Sequence, residues 1–205
     1  TRQASESRVR QFVADASHEL RTPLAAIRGY TELVQRQHDP SPDRLAHAMS
    51  RIDSEAKRMS RLVEDLLLLA RLDAGRPLEH EPVDLSALAI DAISDAHAAG
   101  PGHQWDLELP EEPVVVTGDV GRLHQVLANL LSNARVHTPA GTTITTVLAQ
   151  GSDAVTIKVI DDGPGIPAEQ QSEIFGRFVR GDSSRSRRGG STGLGLAIVS
   201  AVVSA

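Results

Sequence analysis

The chain has 205 residues, a formal net charge of −6 and no cysteine, enough length for one or two domains and no means of forming disulfides or thiolate metal sites. The acidic balance argues against nucleic-acid binding, which needs a dense positive surface; the one basic cluster runs from Arg180 to Arg188. Aromatic residues make up 2% of the chain, so Leu, Val, Ile and Ala must build the core, and the longest apolar runs, such as Leu66 to Ala70, fall far short of the roughly 20 residues that cross a bilayer; the chain is read as soluble.

From Val9 to Val34 the apolar positions are Val9, Val13, Ala16, Leu20, Pro23, Ile27, Tyr30 and Val34, alternating steps of four and three. The same spacing returns at Leu45, Met49, Ile52, Ala56, Met59, Val63, Leu66 and Ala70. Both are heptad seams and predict two long helices, with Ser41 or Asp43 placed to cap the second. Pro40 and Pro42 between them force the chain to fold back as an antiparallel hairpin. Two helices leave half of each stripe facing water, so a homodimeric four-helix bundle is expected; packing of the hairpin on its own second domain is the alternative.

The heptads stop near Gly75, and a polar linker over 76–82 is expected to separate a helical hairpin, 1–75, from a second domain, 83–205. Strand-like runs follow at Gln104 to Leu109, Val114 to Thr117, Thr142 to Ala149 and Ala154 to Ile160. Helical stretches near Ser86 to Ala99 and Asp119 to Val136 interleave with them, predicting an α/β sandwich with helices on one face of a mixed sheet.

On the first helix His18 projects about 160 to 180° away from the seam, toward solvent. A lone exposed histidine is ordinarily inert, but Glu19 beside it offers a carboxylate able to take its proton. Pro23, one turn later, removes the helical partner of the Glu19 carbonyl and is expected to bend the helix there. The string Ser17-His18-Glu19-Leu20-Arg21-Thr22-Pro23 resembles the phosphoacceptor motif of the sensor histidine kinases of two-component signalling. The resemblance implies that His18 accepts the phosphoryl group, that Glu19 assists, and that Thr22 orients water during dephosphorylation of a partner.

In the second domain Asn129 and Asn133 lie one helical turn apart on one face, and amide oxygens suit a hard cation such as Mg²⁺. Asp161-Asp162-Gly163-Pro164-Gly165 follows a strand directly, so Asp161 can accept a hydrogen bond from an adenine amino group before a glycine turn that admits a planar ligand. Taken alone, this is also an ordinary Asp-Gly turn. Gly189-Gly190-Ser191-Thr192-Gly193-Leu194-Gly195 precedes an apolar helix and can form a phosphate cradle of backbone N–H groups. Between these motifs, Phe175 and Phe178 are read as anchors of a mobile lid, with Arg180 available to phosphate oxygens.

The order of asparagine, Asp-Gly-x-Gly, phenylalanine and Gly-x-Gly boxes resembles the ATP-binding domain shared by histidine kinases, gyrase, Hsp90 and MutL-type ATPases. By that resemblance Asn129 and Asn133 serve nucleotide and Mg²⁺, with Asn133 on the metal, and Asp161 serves the adenine. Gly163, Gly165, Gly193 and Gly195, with Thr192 and Leu194 between, allow close backbone approach, and His137 lines the pocket. Where relatives carry a basic residue this chain has Val136, so that phosphate contact is either absent or supplied by Arg135. The family also continues beyond the point reached at Ala205, so a C-terminally truncated domain is expected.

The activity implied is Mg²⁺-dependent autophosphorylation of His18 by ATP. Transfer to an aspartate of a response regulator follows, with phosphatase action toward that regulator and a link to a membrane only through an N-terminal sensor region. A gyrase-like or Hsp90-like ATPase and a nucleotide-binding dimerisation scaffold are the competing readings.

Overall fold

A computed structural model describes residues 2–36, 41–75, 77–179 and 192–205, with side chains described from Arg10 onward. The chain divides into two compact units, Thr1–Ala70 and Arg71–Ala205.

The first unit is built from α1 (Arg2–Arg36) and α2 (Pro42–Asp73). Pro42 occupies the first helical position of α2, where its missing N–H costs nothing, and Leu45 N donates to Ser41 O at 3.1 Å to open the helix. Pro23 lies inside α1 without ending it. The helices run antiparallel, since Tyr30 meets His47 and Arg51 while Glu19 meets Arg58. The Arg51 guanidinium donates to the Tyr30 hydroxyl at 3.3 Å, and that bond raises its pKa further above the ordinary value.

The face α1 turns to α2 is Phe12, Ala16, Glu19, Pro23, Ala26 and Tyr30, buried or half-buried throughout. On α2 the corresponding face is Ala48, Ile52, Glu55, Met59, Leu62, Leu66 and Leu69, again in steps of four and three. This frame is displaced from the expected one, sharing only Ile52, Met59 and Leu66 with it. Leu62 and Leu69 are fully buried, whereas Leu45, Met49, Val63 and Leu67 on the same helix are exposed. The apolar stripe is wider than one helix covers, and its outer edge remains open within the chain; Val13, Leu24 and Leu33 do the same on α1.

The second unit contains two sheets. In the smaller, β1 (Glu81–Asp84) pairs antiparallel with β3 (Val115–Gly118). In the larger, β4 (Thr143–Gln150) is central, parallel to β2 (Gln104–Glu108) and antiparallel to β5 (Val155–Asp161). The expected single mixed sheet is thus a mixed three-stranded sheet plus a two-stranded ribbon. Helices α3 (Leu85–Ala99) and α4 (Val120–His137) start on Asp84 and Asp119, whose side chains accept from the N–H of Ala87 and Arg122, both at 3.0 Å.

Leu85, Leu88 and Ala92 of α3 and Leu127, Leu131 and Ala134 of α4 close over Ile144 and Leu148 of β4. Each Leu or Ile among these, taken from water to full burial, contributes about 1.5–3 kcal/mol. A one-turn helix, α5 (Ala168–Gln171), and α6 (Gly195–Val203) complete the unit, with Leu194 and Ile198 fully buried. Among the described residues no helix is long and apolar enough to cross a membrane.

Candidate functional site

In the first unit His18 is exposed on α1. Its heptad position explains this: Ala16 and Pro23 point inward and are buried, and residue 18 falls between the inward rows. Thr22, also exposed, donates its hydroxyl to the His18 carbonyl at 3.4 Å. Glu19 differs from both. A third of a turn away, it occupies an inward position and turns its Oε2 toward Arg58 Nη2 of α2 at 3.8 Å.

In the second unit α4 is the element against which the other motifs assemble. Asn129, Asn133 and His137 advance about 40° per step along one face, the first two half-buried and the last exposed. Asn129 Nδ2 donates to the Gly195 carbonyl at 3.3 Å, fastening α4 to the first residue of α6. At the other end of α4, Thr138 packs its methyl group so close to Gly163 that a Cβ there would lie 2.5 Å away. The Thr138 hydroxyl donates to Ala134 O at 2.7 Å and lies 3.1 Å from His103 Nε2. Sequence reading did not single out Thr138 or His103, because their meeting depends on the end of α4 coming to lie beside the turn that leads into β2.

Asp161 ends β5, exposed, and its Oδ1 accepts from the N–H of Gly163 at 3.1 Å, while Asp162 Oδ1 accepts from Thr143 N at 2.8 Å. Gly165 has φ +73 and open space where a Cβ would stand. Register places Asp161 opposite Ile144 and Val159 opposite Thr146, so Asp161 and the fully buried Thr146 share the helix-facing side of the sheet. The Thr146 hydroxyl has no hydrogen-bond partner among the described residues.

Before α6, Thr192 Oγ1 accepts from Leu194 N at 3.4 Å, and no side chain caps the helix at Leu194. Gly193 adopts φ +70, and its carbonyl accepts from Phe178 N at 2.8 Å. Phe178 itself has φ +61, an uncommon conformation for a bulky residue.

Two expectations are corrected. Phe175 is 51% exposed and does not anchor its segment, which forms only the single turn of α5 and successive tight turns and so presents no stripe to the core; the anchor is the backbone of Phe178. Arg135 cannot substitute for the missing basic residue beside Asn133. Two positions along a helix is about 200°, and its stem lies instead where a Cβ on Gly100 would meet it at 2.5 Å. Arg180 lies outside the described residues.

Comparison with known proteins assigns residues 8–75 to the His Kinase A (phospho-acceptor) domain and residues 118–205 to the histidine kinase-, DNA gyrase B- and HSP90-like ATPases. The chain belongs to the sensor histidine kinases. The probable sensor histidine kinase TcrY of Mycobacterium tuberculosis is 72% identical over 100% of this chain and 43% of its own length. Among solved structures, the Acinetobacter baumannii histidine kinase AdeS superposes with a TM-score of 0.68 at 28% identity, covering 91% of this chain and 86% of AdeS. Full-length ShkA in complex with AMPPNP gives a TM-score of 0.62 at 28% identity, covering 95% of this chain and 40% of ShkA. This histidine kinase chain spans less than half the length of curated relatives such as TcrY.

Proposed function

We propose that the chain is the catalytic core of a dimeric, membrane-linked sensor kinase whose cytoplasmic ATP-binding unit phosphorylates His18. The observation that carries this reading is the solvent-facing imidazole of His18 on a helix whose neighbouring rows are buried. The neutral imidazole attacks the γ-phosphorus in line; a nitrogen–phosphorus bond forms, the bond to the bridging oxygen of ADP breaks, and Glu19 takes up the ring proton. The phosphoryl group then passes to an aspartate of a response-regulator receiver domain, and Thr22 positions water for the reverse, phosphatase, role.

Nucleotide is held along α4: adenine against Asp161, phosphates over Thr192 to Gly195 and the open N-terminus of α6, with Arg180 as a cation toward them. AMPPNP, the ligand of ShkA, is an ATP analogue of the kind this arrangement suits. Among the described residues no group of three or more His, Asp or Glu side chains could hold a metal by itself. The Asn133 side-chain oxygen is the protein group that would hold a nucleotide-associated Mg²⁺, and the ion would supply charge neutralisation on the phosphates. The exposed edge formed by Val13, Met49, Val63 and Leu67 supports pairing of two hairpins into a four-helix bundle.

Incubation with γ-labelled ATP tests the reading. Acid-labile, base-stable label on the protein, lost in His18→Ala, is the expected result. Released phosphate without labelled protein would identify an ATPase instead, and neither product would identify a scaffold.

A further inference from the structure

Three charged side chains sit in the apolar seam of the hairpin at the level of His18. Glu19, Glu55 and Arg58 have side-chain exposures of 20%, 16% and 18%. Glu19 takes the place between Ala16 and Pro23 in the inner frame of α1, and Glu55 the place between Ile52 and Met59 in that of α2. Arg58 lies between the two carboxylates, with Nη2 at 3.8 Å from Glu19 Oε2 and Nη1 at 3.7 Å from Glu55 Oε2. Glu55 reaches on to Arg51 at 4.0 Å, and Arg51 to Tyr30, so the charged layer is continuous along the seam.

Such a layer is poor material for a seam. Removing carboxylates and a guanidinium from water costs more than ion pairing at these distances returns, and well-packed apolar residues in the same places are commonly as stable or more so. Among the described residues Glu55 Oε2 finds no hydrogen-bond partner, so the layer is not optimised for stability either. Its position explains it better than its energy: one of its members is the immediate neighbour of the exposed histidine.

We infer that Arg58 is a positioning residue for phosphorylation of His18, holding the Glu19 carboxylate fixed at the edge of the seam. This rests on the kinase reading above. Neighbouring side chains on a helix diverge by about 100°, so Glu19 does not meet His18 by sequence adjacency alone. Arg58 engages Oε2 and thereby sets the direction of the other oxygen. Without the cation, two carboxylates share one half-buried space and repel; Glu19 then swings out to water, and its oxygen is no longer aimed toward the imidazole.

The test is a double-mutant cycle on the full chain with γ-labelled ATP, following acid-labile label over hours. Arg58→Met should slow label incorporation about tenfold with the KM for ATP unchanged, since positioned proton transfer contributes at least that much. Arg58→Lys, which keeps the charge, should recover most of the rate. In a Glu19→Gln background Arg58→Met should cost less than twofold, because its target is gone. A tenfold loss in both backgrounds, a Lys variant as slow as Met, or an effect confined to KM would each overturn the inference while leaving the kinase reading intact. Should Arg58→Met fail to fold, the same cycle with Arg58→Gln decides. Absence of His18-dependent label in the unmodified chain would sink the kinase reading itself, and this inference with it.

Discussion

Replacing Gly193 by alanine should damage the second unit more than replacing either Gly165 or Gly195. At φ +70 an alanine costs about 1–2 kcal/mol through its own backbone. Its Cβ would stand 2.9 Å from both the carbonyl carbon and the Cα of Phe178 and 3.1 Å from Val179 O, all main-chain atoms that no rotamer change can move aside. The shift that relieves them pulls on the 2.8 Å bond from Phe178 N to Gly193 O, worth about 0.5–1.5 kcal/mol. Restricting the unfolded chain returns about 0.4–1 kcal/mol, leaving a loss of about 2 kcal/mol, or roughly 6 °C in the melting temperature of a unit this size. Gly165, at φ +73 but with nothing near its would-be Cβ, carries only the backbone penalty and should lose less than about 3 °C. Gly195, helical and in ordinary 3.5 Å contact with Asn129, should be neutral. Differential scanning calorimetry of the three variants reads the order directly. A Gly193→Ala protein that melts with Gly195→Ala would refute the reasoning.

Thr146→Val replaces a buried hydroxyl that has no partner among the described residues with a methyl group of the same shape and should raise stability by about 1 kcal/mol; urea denaturation checks it, and a loss would mean the hydroxyl has a partner, such as water. Asn133→Ala should abolish Mg²⁺-dependent nucleotide binding, measured by titration with a fluorescent ATP analogue, while leaving the oligomeric state unchanged. Met49→Glu with Leu67→Glu places charges on the open edge of α2, away from the buried Leu62 and Leu69, and should give a folded monomer in sedimentation equilibrium.

The helices were legible because their periodicity is local. The frame of α2 was legible only to within a residue: Leu62 and Val63, or Leu69 and Ala70, satisfy the heptad equally well, and which side α1 covers depends on the partner helix. Strand β1 escaped notice because Glu-Pro-Val-Asp carries one apolar residue and a proline, and its pairing with β3 supplies what its composition lacks. At the candidate site, glycine spacing pointed to the motifs but not to their reasons. Gly163 is required by Thr138 and Gly193 by Phe178, both contacts between distant segments. The charged layer around Arg58 was invisible for the same cause, since it exists only once two helices are set side by side.

The bond between Phe178 and Gly193 bears on the stretch of chain between them. It pins the chain on either side of residues 179–192, so the ends of that span are held by the domain and not by the span itself. Doubling the length of a tethered segment costs only about 0.6 kcal/mol of closure entropy. Lengthening or rewriting this stretch should therefore leave the melting temperature of the second unit nearly unchanged, provided the bond from Phe178 N to Gly193 O is kept.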